Sequence, residues 1–168
     1  RTGARTTLAR LTITTPTRDV RLADQAVAWA ALLILHDDHA LARDLLERAA
    51  RACPGHPVVR HNLGNVLLAQ GEFASALPHF EAAARLNRNA APPLVNAGNC
   101  LFRLGRIEEA AVAFASAVGR DGASFEGWAN LAEVRRRLGD RAGAGEAYRR
   151  ALSLRPDDRR LRDRARTL

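Results

Sequence analysis

The sequence repeats itself every 34 residues without a gap. Asn62-Leu63-Gly64-Asn65 returns as Asn96-Ala97-Gly98-Asn99 and again as Asn130-Leu131-Ala132-Glu133. Carried backwards, the same phase gives a fourth unit, so the chain divides into 23–56, 57–90, 91–124 and 125–158. A fixed period of this length restricts the fold severely. Each unit is one supersecondary motif that cannot bury its apolar face alone, so successive units must stack around a continuous core.

Within that frame, aligned columns carry the same kind of residue. The eighth column reads Ala30, Gly64, Gly98, Ala132; the twentieth Ala42, Ala76, Ala110, Ala144; the twenty-seventh Ala49, Ala83, Ala117, Ala151. The twenty-fourth holds a bulky residue each time: Leu46, Phe80, Phe114, Tyr148. Alanine is about one residue in five, and eight alanines in eight preset positions then arise by chance about three times in a million. Small residues at fixed spacing let two antiparallel helices approach closely while the bulky side chain fills the gap beside them. The low aromatic content of 5% and this alanine usage favour packed helices over sheets. Gly71, Gly105 and Gly139 recur where a first helix must end in a left-handed residue, with Asp37 in their place in the first unit. Pro54 and Pro156 close second helices, and Pro92 and Pro93 fall in a first turn, which tolerates them. The expected helices are 24–36, 39–52, 58–70, 73–86, 92–104, 107–119, 126–138 and 141–154.

These columns resemble the tetratricopeptide repeat (TPR) family over residues 23–158. The resemblance implies an all-α, right-handed α-solenoid of four helix-turn-helix repeats. Residues 159–168 are expected to form a capping helix with Leu161 and Ala165 against the stack, and residues 1–22, rich in Thr and Arg, an extended or disordered basic arm. In a TPR stack the first helix of each unit lines a concave groove. The groove-facing sixth column is Asn62, Asn96 and Asn130, and the ninth includes Asn65 and Asn99. An asparagine offers both donors and an acceptor to an extended peptide backbone without reading its side chains. This arrangement resembles the asparagine ladder in the TPR domains of protein O-linked N-acetylglucosamine transferases. It implies a peptide-binding scaffold, with His61 and Arg103 as further groove contacts and Arg136 and Arg137 favouring an acidic partner. The alternative for the asparagines is that they cap turns or bond neighbouring helices. The two-carboxylate clamp of co-chaperone TPRs does not fit, because Glu126 and Asn130 stand where it needs two cations.

Charge separates along the chain. The formal net charge is +8, with +4 on residues 1–22, −3 on 23–134 and +7 on 135–168, and every basic residue is Arg. Arg159, Arg160, Arg162, Arg164 and Arg166 would allow a polyanion to bind at the C-terminal end, but no interleaved aromatics accompany them, so nucleic acid is not the expected partner. His36-Asp37-Asp38-His39 falls on a turn, where Asp caps a helix, rather than forming a metal site. Cys53 and Cys100 have neither metal-ligand nor disulfide spacing, which suits a reducing compartment; a bacterial, cytoplasmic protein is expected. No nucleophile-base set or phosphate loop is present, so no catalysis, cofactor or metal is expected of this chain by itself.

The first helix is apolar all round from Ala26 to Leu35, about half the roughly 20 residues that span a bilayer. An apolar helix of this kind is expected to be covered on both faces. An upstream segment or a second copy would meet Val27, Ala31, Ile34 and Leu35. The chain begins at Arg1 and contains no Met, so an upstream region is expected, and with it the option that these repeats present substrate to an enzyme domain.

Overall fold

A computed structural model describes residues 20–168, and the described residues form nine helices without a strand. They are α1 (Val20–Leu35), α2 (His39–Ala52), α3 (Pro57–Ala69), α4 (Phe73–Leu86), α5 (Pro92–Arg103), α6 (Ile107–Arg120), α7 (Phe125–Arg137), α8 (Arg141–Leu154) and α9 (Arg159–Arg166). Helices pair as hairpins α1/α2 through α7/α8, and each second helix packs on the first helix of the next unit. The first helices of neighbouring units also touch one another, whereas successive second helices make no comparable approach. The stack therefore curves into an α-solenoid with α1, α3, α5 and α7 on its inner face.

The small columns are what bring each hairpin together. All eight alanines of the twentieth and twenty-seventh columns are sealed from solvent, as are Leu46, Phe80, Phe114 and Tyr148. In the central units the fit leaves no room for a methyl group. A Cβ on Gly64 would lie 2.7 Å from Phe80 Cε1, and one on Gly98 would lie 2.6 Å from Phe114 Cε1. His61, one turn before Asn65, meets Phe80 edge-on with ring centroids 5.6 Å apart.

Turn chemistry sets each hairpin angle. Gly71, Gly105 and Gly139 adopt φ of 78°, 78° and 80°, and Asp37 takes the same left-handed region at 60°. In each case the next amide donates to the carbonyl five residues back, as Glu72 N does to Leu67 O at 2.9 Å and Arg106 N to Leu101 O at 2.9 Å, which closes the helix end in a Schellman turn. Asp38, Ser124, Asp140 and Asp158 cap the following helices by accepting from the backbone N–H three residues on. Arg120 ties adjacent units by donating to Ala84 O and Ala90 O, both at 3.1 Å, at the end of α4.

Two expectations shift. Helix α1 starts at Val20 rather than near 24, because Val20, Arg21 and Leu22 meet no breaker and add a turn before buried Ala23; residues 1–19 of the expected arm lie outside the described residues. The apolar patch on α1 is also only partly the one expected: Ala31 and Leu35 are exposed, whereas the other two residues are not. Val27 and Ile34 are half-buried against the core, while Trp29, Leu32 and Leu35 are 43%, 48% and 79% exposed. Trp29 and Leu32 occupy the seventh and tenth columns. In later units those columns are Leu63 and Val66, Ala97 and Cys100, Leu131 and Val134, all buried, on helices that pack against the preceding repeat. Among the described residues no repeat precedes the first one, so its stacking columns face solvent. At the other end α9 lays Leu161 into the core, with Ala165 and Leu168 half-buried beside it. Among the described residues no helix is long and apolar enough to cross a membrane.

Gly98→Ala, which drives a methyl group into the Phe114 ring, should cost about 1–3 kcal/mol, and Phe114→Ala about 3–5 kcal/mol. Denaturant unfolding measures both, and in the Phe114→Ala background the Gly98→Ala penalty should largely vanish. Burial holds the His61 imidazole below its ordinary histidine value of 6.5. The folded chain therefore resists a proton that the unfolded chain accepts, so this stability is full above about pH 6.5 and falls as pH drops below it. His61→Leu should flatten that acid-side loss in melting curves recorded from pH 7 to pH 5.

Candidate functional site

The inner face reads as columns running from unit to unit. Asn96 Nδ2 donates to Asn65 Oδ1 at 2.9 Å, and Asn130 Nδ2 donates to Asn99 Oδ1 at 3.0 Å. Each rung joins the sixth column of one unit to the ninth column of the unit before it. The expected alternative, bonding between neighbouring helices, is therefore realised for these four residues, but it uses only part of their capacity. The Nδ2 groups of Asn65 and Asn99 and the Oδ1 atoms of Asn96 and Asn130 have no hydrogen-bond partner among the described residues. Asn62 follows a different course and donates to Val58 O of its own helix at 2.9 Å. Its rung partner in the first unit would be Ala31, which has no acceptor.

The last rung changes chemistry. The ninth column of the fourth unit is Glu133, and the 34-residue phase continued into α9 puts Arg164 in the sixth column. Arg164 lies 3.7 Å from Glu133 Oε2. Arg136 donates to Glu133 through both Nη2, at 2.9 Å, and Nε, at 3.2 Å, and Arg137 Nε lies 3.3 Å from Oε1. Tyr148 Oη also donates to Glu133, at 3.4 Å. The Arg136 bond holds the Glu133 carboxyl below the ordinary carboxylate value, with Arg137 adding to the effect, so it is ionised at neutral pH.

Arginine stacks on aromatic rings along the same face. The Arg103 guanidinium lies 4.4 Å from the Phe73 ring centre and that of Arg137 lies 4.4 Å from Phe102, a contact that fixes the charge without removing it. Two cavities open between these elements. One, of about 430 Å³, is lined by Leu68, Phe73, Asn99, Phe102 and Arg103 among others. The second, of about 300 Å³, lies beneath α9 and includes Phe102, Asn130, Arg137, Leu161 and Arg164 in its lining. The structure thus brings Asn99, Asn130, Arg103 and Arg137 to cavity walls. Arg136 is drawn onto Glu133, and His61 sits against Phe80 with its Nδ1 sealed from solvent and unbonded. Arg135, standing in a column that is apolar elsewhere, reaches Gly143 O at 3.2 Å and Asp140 at 3.8 Å.

Phe73, Phe102 and Glu133 escaped the sequence reading, and Arg164 entered it only as one of five arginines at the C-terminal end. Glu133 and Arg164 were within reach, since extending the sixth and ninth columns by one period identifies the pair. Phe102 was within reach too, since it shares the groove-facing twelfth column with Arg136, whereas nothing in the pattern marks Phe73 as a groove residue.

The other candidate residues are engaged locally. His39 pairs with Asp37 at 3.2 Å, Asp38 caps Leu41, and no group of three His, Cys, Asp or Glu is placed to hold a metal among the described residues. Burial pushes the Cys100 thiol up to about 11, so it stays protonated at neutral pH.

Comparison with known proteins places this architecture. The tetratricopeptide repeat model matches residues 61–125 and 95–159, more than half of the chain. A search of curated proteins finds no match. Among solved structures, YrrB, described as a TPR protein with an unusual peptide-binding site, superposes with a TM-score of 0.74 at 25% identity, over 89% of this chain and 77% of that one. MamA superposes with a TM-score of 0.78 at 18% identity, over 83% and 76%. A tetratricopeptide repeat protein from Parabacteroides merdae gives 0.75 at 18%, over 84% and 57%. From the 34-residue columns, the hairpin stack and the matching family model together, the chain belongs to the tetratricopeptide repeat family.

Proposed function

We propose that the inner face of this scaffold binds an extended segment of another protein, with Asn65, Asn96, Asn99 and Asn130 pairing with the guest backbone. The observation that supports this most is the half-used rung. Each amide–amide bond fixes two side chains in place and leaves one Nδ2 and one Oδ1 unspent, which is the donor and acceptor set that an extended backbone needs. Because the rungs hold each other, little side-chain entropy is lost when a guest arrives. Asn62 adds its remaining donor hydrogen and its Oδ1, His61 and Arg103 flank the path, and Arg136 and Arg137 favour an acidic guest. The solved structure of YrrB, whose description includes a peptide-binding site, supports peptide as the class of ligand.

The exposed Trp29, Leu32 and Leu35 extend this reading to the first unit, where the surface meets an upstream segment or a second copy of the chain. Large apolar side chains clustered at a solenoid end are of the kind that mark interfaces.

Peptides selected against the chain from a random displayed library provide the guest for a test. Their affinity, read by fluorescence anisotropy, should fall at least about tenfold when Asn62, Asn96 and Asn130 are replaced together by Ala. The protein should stay folded by circular dichroism, because two lost rungs cost only about 1–3 kcal/mol. Undiminished affinity in the folded triple variant overturns the proposal.

A further inference from the structure

The geometry points to a carboxylate-binding anchor at the C-terminal end of the groove, in the cavity walled by Phe102, Asn130, Arg137 and Arg164, with Glu133 as the built-in competitor for its arginines. This inference rests on the groove reading above and adds the chemistry that one end of the guest must carry.

Three observations converge on that cavity. The first is charge. Arg136, Arg137 and Arg164 gather around the single carboxylate of Glu133, so two of their three positive charges are left without a counter-charge among the groups that meet there. Glu133 is only 17% exposed, which makes the surrounding field stronger than at an open surface. The second is shape. The cavity holds about 300 Å³ and has Phe114, Ala129, Val134 and Leu161 in its lining beside the polar groups, which suits a short apolar stem bearing an anionic head. The third is preorganisation. Stacking on Phe102 fixes Arg137, and Arg164 is carried by α9, whose Leu161 is buried in the core. The Arg137 guanidinium therefore need not be ordered anew when an anion enters, and Arg164 starts from a fixed helix.

The register says why this end differs from the middle. Rungs between the sixth and ninth columns are amide to amide in the central units, where the groove can pair with a neutral backbone. In the last rung both members are replaced, Asn by Arg164 and Asn by Glu133. An entering carboxylate shares the arginines with Glu133, accepting from Arg137 and Arg164, and the free hydrogens of Asn99 and Asn130 complete its shell. Removing the charge of Glu133 while keeping its acceptor should therefore strengthen the anchor.

Two small probes distinguish the source of the carboxylate. N-acetylglutamate α-amide carries only a side-chain carboxylate and N-acetylalanine only a chain terminus. Each is titrated at low ionic strength against the arginine Nε–Hε resonances of the protein, with N-acetylglutamine amide as the neutral control. At least one carboxylate probe should shift Arg137 and Arg164 saturably at millimolar concentration, and the better one names the guest group. Glu133→Gln should tighten that probe about threefold or more, and Arg164→Gln should weaken it about fivefold or more. Circular dichroism establishes that each variant is folded. No saturable shift by about 50 mM of either probe, an unchanged response in Arg164→Gln, or weaker binding in Glu133→Gln overturns the anchor. An Asn65→Ala/Asn96→Ala variant, which should damage peptide binding, lies outside the cavity and should bind the probes as wild type does. Failure of the groove reading and failure of the anchor are thereby told apart.

Discussion

Everything else in this molecule depends on the close approach of the two helices within each unit. Bringing helix axes together requires small residues on both sides, and here the eighth, twentieth and twenty-seventh columns supply them. The gap left over takes one bulky side chain, and in the central units that side chain is a phenylalanine resting on a glycine with no space for a methyl group between them. This contact fixes the hairpin angle together with the left-handed turn residue. Identical hairpins at a constant period then stack with a constant rotation, which curves the solenoid and places every first helix on its inner face. The register that unites the sixth column of one unit with the ninth of its predecessor follows directly. The asparagine rungs are a consequence of packing far from the groove.

The same logic explains why the groove changes along its length. The first unit has Ala31 in the ninth column, so Asn62 has no rung and turns to its own helix. The middle units carry amide rungs with spare donors and acceptors. The last unit and α9 replace them by an arginine cluster around Glu133. A protein-interaction scaffold built by repetition can thus vary its chemistry by substituting within a column, with no change to the backbone that holds it.

The fold was legible because its signals are local and repeated. Gly71, Gly105 and Gly139 announce turns by their spacing, and the alanine and aromatic columns announce which faces meet. The helix ends predicted from them differ by only one residue through most of the chain. Surroundings that do not repeat were harder to read. Val27 and Ile34 looked like interface residues because the run from Ala26 to Leu35 is apolar throughout, but periodicity alone does not say which side of an end helix its neighbours occupy. Asparagine in the groove columns was visible, whereas its division between rung and free valence depended on the distance between helices. The roles of Phe73 and Phe102 depend on arginines one unit further along the chain, and no residue pattern within a single repeat encodes such a contact. Glu133 stood in an asparagine column and signalled a change that only the arginines around it explain.

The claim at the centre of this account is that the rungs read the backbone of a guest. The direct measurement replaces single amide bonds in the central residues of a selected peptide by esters, each of which deletes one N–H donor and weakens the adjacent acceptor while keeping every side chain. Affinity should fall about fivefold or more at the positions that face Asn65, Asn96, Asn99 and Asn130, while shuffling the central side chains should change it little. If esters are tolerated throughout and shuffling abolishes binding, the groove reads side chains and the ladder account is wrong.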